Sequence, residues 1–495
     1  MLKKILACIM AAVIILCLLN LNQINFNNDG FLPDDEGNYK NIEQQELYDE
    51  LFDINSVVKI DLSIDKSELA KLQNDLEAER IAFNKSAVYR KAELMTVTVN
   101  QKKYVMDEVG FRIKGNNSKS NFYNDILGIY NLVNFKLSFN ETFDSDKDKQ
   151  LEEIGATKQS IKEKKQKRAK RTFATLQNME LKWNSSMDNT YVRNIYAFEM
   201  FKDNGISAQN CRLAVFSINN SIMGIYRFFE PVDEIFINRY FPKEDQGGDL
   251  YKCKWSDTQP VTYETGNSYG ISDRDKGIFY NFELKTNKES SKHQQLKHLL
   301  EVLNNKNVTR AQLEAVVDID SFLRFSAINY LLGNQDDMRN NYNNHYLYFR
   351  PSDGKAVFIP YDCELLMGCI CEWNPSNDIF MELSPFYDIA AGTREKQLNP
   401  LINLTISSNG MYKNEFSKHL RDIGSSKWMF PAQFEYYYDI AKENYSEYII
   451  SNWTYCSTWH HNLEFSMNGG ESCNGNMSVQ DFIRKIKETM YMYIG

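Results

Sequence analysis

Polar side chains that can move protons and bind metal ions are concentrated between residues 333 and 364. The loop at 333–345 reads Gly-Asn-Gln-Asp-Asp-Met-Arg-Asn-Asn-Tyr-Asn-Asn-His and contains Asp336 and Asp337. A turn at 351–355 and an apolar strand at 356–360 follow, and the strand runs into Asp362. One acid, an amide a few residues later and a second acid after a hairpin are the parts of a protein-kinase-type phosphoryl-transfer site, in that order. The alternative is a surface turn, because Asn and Asp form turns with their own backbone.

Periodic patterns predict the elements that position these residues. The chain has 495 residues, of which 43% are hydrophobic and 13% aromatic, and such a chain can bury one large core or two lobes. Helical spacing predicts helices at 67–81 and 188–203, and after about residue 280 the pattern is mostly helical. A β-rich half therefore precedes a helix-rich half. Alternating residues predict strands at 57–62, 94–99, 108–114, 132–139, 213–218 and 223–229.

The first residues predict a membrane-targeting segment. Lys3 and Lys4 precede an uninterrupted apolar run at residues 5–19. The run is long for a signal peptide and slightly short for a transmembrane helix. We expect residues 1–22 to be an uncleaved signal anchor that leaves the rest of the chain in the cell envelope or at the surface, with a cleaved signal peptide and secretion as the alternative. The polar, acidic residues 23–54 are expected to be a tether.

Charge and cysteine usage restrict the partners. A net charge of -9 argues against a general nucleic-acid-binding surface. Cys363, Cys369 and Cys371 lie near the second acid, but the chain has no C-x-x-C spacing and only six His, so we favour buried thiols or one local disulfide over a zinc site. Residues 141–171 form an acidic block followed by a basic one. A solvated helix is the preferred interpretation, and a dock for an acidic protein or an anionic envelope polymer is the alternative.

Several short motifs, taken in order, resemble the CotH kinase family, and the resemblance covers about residues 57–368. They are Gly-Phe-Arg-Ile-Lys-Gly-Asn-Asn-Ser at 110–118, Met-Gly-Ile-Tyr at 223–226 with Glu230, Leu-Tyr-Lys at 250–252, and the two acid segments. The resemblance implies an α+β, two-lobed atypical protein-kinase-like fold, with a β-rich N-lobe at 55–255 and a mainly helical C-lobe at 256–495. It also implies an enzyme that uses ATP with Mg²⁺ or Mn²⁺ to phosphorylate Ser or Thr of surface, exported or spore-coat proteins.

The resemblance assigns roles to the acid segments. Asp336 is expected to accept the hydroxyl proton, with Asp337 as the alternative. Asn341 has the kinase spacing of Asp-x-x-x-x-Asn, whereas Asn344 begins the family-like Asn-His-Tyr-Leu-Tyr, so either of them is expected to bind metal. Asp362 is expected to bind Mg²⁺ at the phosphates.

In the N-lobe, the resemblance implies a phosphate loop and a hinge. The segment with Asn116 and Ser118 is expected to replace a glycine-rich loop, its backbone N–H groups and hydroxyls facing phosphate oxygens. Glu230 lies where a hinge would contact adenine. Lys136 is the expected phosphate-contacting lysine, with Lys114 as its competitor. We expect its ion-pair partner to be Glu199, on the helix that follows.

Two other functions compete with the kinase. A non-catalytic structural or adhesion protein of the cell envelope or spore coat could use the same scaffold with a vestigial site. A metal-dependent hydrolase would use the carboxylates but leaves the lysine and the phosphate loop without a role. The presence of both Asp336 and Asp362 favours the kinase, because a decayed site has no chemical need for both.

Overall fold

The fold is that of a computed structural model. The predicted anchor at 1–22 and the loop residues Asn116 and Ser118 lie outside the part of the chain that it describes. The described residues are 23–25, 42–82, 88–115, 122–124, 129–143, 159, 162–163, 166, 168–184, 188–256, 260–273, 276–334, 336–369, 384–386, 399–449, 464–468 and 477–495.

The first half of the chain forms a closed β-barrel. Seven described strands pair in the order β4–β3–β2–β9–β10–β8–β7, and β7 pairs back to β4. The pair β2–β9 is parallel and the other barrel pairs are antiparallel, while β1 adds to β4 in parallel outside the ring. The strands of this half are β1 (Gln23–Asn25), β2 (Val58–Ser63), β3 (Arg90–Val99), β4 (Lys102–Lys114), β5 (Tyr123–Asn124), β6 (Ile129–Tyr130), β7 (Asn134–Ser138), β8 (Asn178–Trp183), β9 (Cys211–Ile218) and β10 (Ser221–Phe229). Strands β5 and β6 pair with each other in a separate two-stranded sheet.

Alternation along these strands fills the barrel with apolar side chains. Because successive residues of a strand point to opposite faces, one set packs inside and the other faces outward. The hairpin turn between β9 and β10 uses Asn219 and Asn220 with φ angles of 51° and 63°, a left-handed geometry that asparagine tolerates. The inward set includes Ile60, Val97, Phe111, Phe135, Leu181, Phe216 and Phe228.

A second sheet carries the acid hairpin. Its order is β12–β13–β11–β14–β15, and the turn that joins β14 to β15 contains Gly354 with a φ of 72°. Its two faces differ: Leu347 and Phe358 pack into the main helical core, whereas Tyr346 and Tyr361 lie on the other side. The strands are β11 (Leu250–Cys253), β12 (Tyr269–Gly270), β13 (Phe282–Leu284), β14 (His345–Phe349) and β15 (Ala356–Pro360).

Helices complete both halves. Helix α7 packs against β15 and α9, so the loop that leaves its C-terminus is held close to the end of the acid hairpin. The helices are α1 (Ile42–Leu51), α2 (Lys66–Ala82), α3 (Arg193–Asp203), α4 (Glu234–Tyr240), α5 (Gln294–Leu303), α6 (Arg310–Val316), α7 (Ile319–Leu331), α8 (Pro400–Thr405), α9 (Lys413–Gly424), α10 (Pro431–Tyr445) and α11 (Val479–Ile494).

The mixed helix-and-strand fold predicted from the pattern is confirmed, and the predicted strands and helices overlap β2, β3, β4, β7, β9, β10, α2 and α3. Two features differ from expectation. Part of the predicted tether forms α1, whose Leu47 and Leu51 are buried because they share one helix face. Strand β11 was expected to belong to the first lobe, but its hydrogen bonds go to β13 and β14. Among the described residues, no helix has the length and apolarity needed to cross a membrane.

The end of the basic insert is docked on the barrel. Arg168 forms an ion pair with Glu108, donates to the Glu108 carbonyl oxygen at 2.7 Å and to the Glu141 carbonyl oxygen at 2.9 Å. Arg171 binds Asp107 at 2.9 Å. Both arginines are buried, whereas the described lysines of the insert, Lys162 and Lys170, are exposed. The basic block therefore contains two structural arginines as well as solvated lysines.

Candidate active site

The loop after α7 holds Asp336 between two asparagine side chains. Asn341 Nδ2 donates to Asp336 Oδ1 at 2.5 Å, and Asn344 Nδ2 donates to Asp336 Oδ2 at 2.7 Å. Asn344 Nδ2 also lies 2.9 Å from the Asp336 carbonyl oxygen, and the Asp336 N–H donates to Asn334 Oδ1 at 3.1 Å. The two amides therefore orient both oxygens of one carboxylate.

Asp336 is poised to exchange a proton near neutral pH. Burial raises the pKa of Asp336 to about 7, and the negative charge of Asp362 acts in the same direction. The hydrogen bonds from Asn341 and Asn344 oppose this shift because they stabilise the ionised carboxylate. A general base works best when its pKa lies near the operating pH, so Asp336 has the properties of one.

Asp337 is occupied by the local turn. Its Oδ1 accepts from the backbone N–H groups of Arg339 and Asn340, each at 2.9 Å, and from Asn340 Nδ2 at 2.8 Å. Its Oδ2 lies 3.0 Å from Arg339 Nε, in an ion pair whose side chains are 3% and 2% exposed. A carboxylate with four donors stabilises the turn, and this geometry favours Asp336 over Asp337 as the base.

Asp362 follows β15 and approaches the same place from the second sheet. Its backbone has a φ of 55°, and the preceding Tyr361 N–H donates to the Asn344 carbonyl oxygen at 3.1 Å, which ties the strand end to the Asp336 loop. Lys182 Nζ contacts Asp362 Oδ1 and lies 3.0 Å from Glu364 Oε1. Burial alone would raise the pKa of Asp362, but the Lys182 ammonium outweighs it and lowers the pKa to about 2. Asp362 is therefore ionised at neutral pH.

A lysine–glutamate ion pair stands beside Asp362. Lys114, at the end of β4, pairs with Glu180 of β8 and donates to Tyr361 Oη at 2.8 Å. Burial lowers the pKa of Lys114 to about 8, although Glu180 opposes the shift. For Glu180, burial alone would raise the pKa, but the positive charge of Lys114 holds it well below its usual value. In active protein kinases a lysine that contacts phosphate is held by a glutamate in this way.

The strand register explains why these charges meet. Lys136 of β7 lies directly opposite both Arg112 of β4 and Glu180 of β8, and opposite residues of paired strands share a face. Their neighbours Phe135 and Leu181 point into the barrel. Within the described residues, Lys136 has no hydrogen-bond or ion-pair partner. We call the outward set the charged barrel face; it consists of Arg112, Lys114, Lys136, Glu180 and Lys182.

Glu199 is placed differently from the ion-pair role expected for it. It lies on α3, and its carboxylate binds Lys202 Nζ and Arg212 Nη1, each at 2.8 Å. The glutamate that pairs with Lys114 is Glu180, on a strand of the barrel itself. The ion pair between Lys136 and Glu199 therefore stays a prediction, and no contact among the described residues supports it.

Glu230 is embedded in the protein. Its carboxylate binds Arg239 and accepts from Tyr48 Oη at 2.9 Å and from Tyr240 Oη at 3.0 Å. Its backbone N–H donates to Asn210, and its carbonyl oxygen accepts from a glutamine side chain. These contacts fasten α1 and α4 to the end of β10, and an adenine contact through Glu230 stays a prediction.

Glu180 and Lys182 were missed from the sequence although a signal existed. In β8 the charged Glu180 and Lys182 alternate with the apolar Met179, Leu181 and Trp183. This alternation shows that the two charges share a face. Which face of which sheet meets the acid hairpin depends on barrel closure, and the sequence pattern does not show it.

Among the described residues, the cysteines near Asp362 do not form a metal site. Cys363 is a buried thiol whose pKa burial raises well above its usual value, so it does not present a thiolate. Cys371 lies outside the described ranges. Across the described part of the chain, no group of three or more His, Cys, Asp and Glu side chains could hold a metal ion. A metal at Asp362 would take its other ligands from amide oxygens such as those of Asn341 or Asn344, from water and from phosphate.

A comparison with known protein families gives the class to which this chain belongs. The family model described as CotH kinase protein matches residues 156–485, two thirds of the chain. The chain therefore belongs to the CotH kinase family. The matched range contains Glu180, Asp336 and Asp362, and it begins after Lys114 and Lys136.

Among solved structures, the crystal structure of a Helicobacter pylori proinflammatory kinase, CtkA, is similar at 12% identity, over 54% of this chain and 86% of that chain, with a TM-score of 0.24. No curated protein matches the chain at a significant level.

Proposed function

We propose that the chain is an atypical protein kinase that transfers the γ-phosphoryl group of ATP to Ser or Thr hydroxyls of proteins. The observation that carries the proposal is the convergence of three parts from distant segments. Asp336 is held by two amides, the ionised Asp362 lies beside it, and the Lys114–Glu180 pair adjoins both through Tyr361. A positioned base, a metal-binding carboxylate and a held lysine are what phosphoryl transfer requires.

The oxygen donors of this site fit a hard divalent cation. Asn341 and Asn344 direct their amide nitrogens to Asp336, so their amide oxygens point away from it. Together with the Asp362 carboxylate they would supply oxygen donors only, which Mg²⁺ and Mn²⁺ prefer to nitrogen or sulfur. The ion, when bound, would neutralise charge on the phosphate oxygens.

The protein groups divide the remaining work. Asp336 accepts the proton of the attacking hydroxyl, since both its oxygens are oriented and burial holds its pKa about 7. Lys114 contacts phosphate oxygens, and Glu180 keeps its ammonium in place. Lys182, bound between Asp362 and Glu364, holds the acid segment against the charged barrel face.

Transfer of labelled phosphate from ATP to acceptor proteins tests the proposal. The full-length chain should transfer phosphate with Mg²⁺ or Mn²⁺ and lose the activity in chelator. Asp336→Asn and Asp362→Asn should both be inactive, whereas a surface variant such as Lys418→Gln should match the wild type. Transfer that persists in both Asp variants, or that the wild type lacks with either metal, would refute the assignment and favour a non-catalytic scaffold.

We also propose that the site faces the extracytoplasmic side, with residues 5–19 as a membrane anchor and envelope or exported proteins as substrates. The apolar run and its preceding lysines support this proposal. The full-length chain should fractionate with membranes, and removal of residues 1–22 should release it. A mature chain that begins near residue 23 and is found in the medium would instead establish cleavage.

A further inference from the structure

Besides Lys136, a second lysine of the site, Lys252, forms no ion pair with an acid among the described residues. Lys252 lies on β11, directly opposite Tyr346 of β14 and Glu283 of β13. Its Nζ is 3.8 Å from the centre of the Tyr361 ring and 5.7 Å from that of Tyr346. Within the part of the chain that the structure describes, this ammonium has no hydrogen-bond or ion-pair partner. The contacts that it makes there are with the faces of the Tyr361 and Tyr346 rings.

The nearby acids are already engaged by other lysines. Glu283 binds Lys254 through Oε2 and Lys285 through Oε1, the latter at 2.5 Å. Glu180 binds Lys114. Glu180 and Glu283 are thus paired with three other lysines, and Lys252 is a fourth lysine beside them that forms no ion pair with either acid.

The isolation of this ammonium is energetically unfavourable. Burial lowers the pKa of Lys252 well below its usual value, and the charges of Lys114 and Lys285 add to the effect, while Glu180 and Glu283 oppose it. Contact with an aromatic face offsets only part of the lost hydration. Uncompensated groups of this kind are concentrated at sites that bind a ligand of opposite charge.

Tyr361 places Lys252 beside the other site residues. Lys114 donates to Tyr361 Oη and Lys182 Nζ lies 5.3 Å from the ring centre, so three lysines surround one ring. Asp362 is the next residue in the chain. The anion that fits is therefore one long enough to extend from Lys252 towards Lys114 and Asp362. A polyphosphate has this length, and its negative charge balances that of the lysines.

We propose that Lys252 is a further nucleotide-binding residue, whose ammonium contacts the phosphate groups of ATP alongside Lys114. The proposal rests on the proposed kinase function. It assigns Lys252 to binding of phosphate charge, not to the proton transfer at Asp336.

Calorimetric titration of the full-length protein with ATP and with adenosine tests this role. Lys252→Met keeps the length of the side chain and removes its charge, so it should weaken ATP binding about ten-fold or more, as expected for a charge-assisted contact. Adenosine binding should not change. Lys254→Met is the matched control, since Lys254 directly follows the same strand and is paired with Glu283. It should change ATP affinity by about three-fold or less.

The outcomes separate the alternatives. An unchanged ATP affinity in Lys252→Met would overturn the proposal while leaving the kinase function intact. Equal losses in both variants would also overturn it, because a general positive field and not a contact would then attract the nucleotide. A wild-type protein that binds no ATP would refute both the kinase function and this role.

Thermal unfolding supplies a second readout. If Lys252 is an uncompensated charge, Lys252→Met should melt at or above the wild-type temperature, and saturating ATP should raise its Tm by less than it raises that of the wild type. Lys252→Arg should keep most of the ATP-induced increase. A lower Tm in Lys252→Met with a full ATP-induced increase would show a structural role and overturn the proposal. An increased KM for an acidic acceptor protein, with ATP affinity unchanged, would instead assign Lys252 to the protein substrate.

Discussion

Replacement of Asp336 by Asn should make the protein more stable relative to the wild type at high pH while it abolishes activity. Since folding raises the pKa of Asp336, the folded protein binds the proton more tightly than the unfolded chain does. The resulting stabilisation is fully present below about pH 4 and is lost as the pH rises through about 7. Asn cannot ionise, so the variant should not show this loss.

The size of the effect follows from the two pKa values. The difference between the usual value of 3.8 and the value of about 7 in the folded protein corresponds to about 4 kcal/mol. Between about pH 5 and pH 8, the wild type should lose about 3 kcal/mol of unfolding free energy that Asp336→Asn retains. The comparison between two pH values cancels the cost of the hydrogen bond to Asn341 or Asn344 that the amide side chain disrupts.

Urea unfolding followed by tryptophan fluorescence, in buffers with chelator, measures this difference. Asp337→Asn is the control. It breaks the buried pair with Arg339, so it should cost about 3 kcal/mol at both pH values. If Asp336→Asn and the wild type changed in parallel between the two pH values, the raised pKa of Asp336 and its role as the base would both be refuted.

Kinetic measurements should test the role of Asp336 in catalysis. The kcat/KM of the wild type should rise as the pH increases through about 7, because the base must be ionised to accept the hydroxyl proton. Asp336→Asn should lower kcat by orders of magnitude with ATP affinity nearly unchanged. Asp337→Asn should retain turnover per folded molecule, and the reverse ranking would identify Asp337 as the base.

Other variants test the rest of the site and its surroundings. Asp362→Asn should nearly abolish transfer and weaken Mg²⁺-dependent ATP binding with an unchanged circular dichroism spectrum, and unchanged turnover would refute its metal role. Lys114→Met and Glu180→Gln should each lower kcat/KM. Because the two residues act as a pair, the kcat/KM of the double variant should be little lower than that of the worse single variant. Additive losses of kcat/KM would refute the pairing. Arg168→Gln should cost about 2 kcal/mol, since it removes the buried guanidinium that forms the ion pair with Glu108 and donates to the Glu108 carbonyl oxygen. Replacement of four insert lysines by Gln, in contrast, should change the free energy of unfolding by about 0.5 kcal/mol or less. It should also leave the KM for the protein substrate, and the salt dependence of that KM, unchanged. The four lysines are Lys162, Lys164, Lys165 and Lys167.

Local spacing was sufficient to predict the core of the acid segments. Asp336, Asn341 and Asn344 lie within eight residues of each other, so a single loop brings them together without help from the rest of the fold. Strand alternation and helical spacing likewise placed most elements of the barrel, because each periodicity is a property of the local backbone. The same local reasoning left Asp336 and Asp337 as alternatives, and hydrogen bonding separates them: Asp337 is occupied by the turn.

Partners across the cleft required the tertiary structure. Lys182 meets Asp362 across 180 residues and Lys114 meets Tyr361 across 247, and these contacts depend on closure of β7 onto β4 and on the face that the second sheet presents. Glu199, the expected partner, illustrates the limit of the sequence. Glu180 on a strand and Glu199 on a helix are chemically equivalent partners for a lysine, and the sequence alone does not distinguish them. The sequence by itself determined which residues can carry charge and which of them share a face of their own element. Only the packing of barrel against sheet decided which charges meet, because an ion pair between distant segments has no periodic signature and is selected by burial in the folded protein.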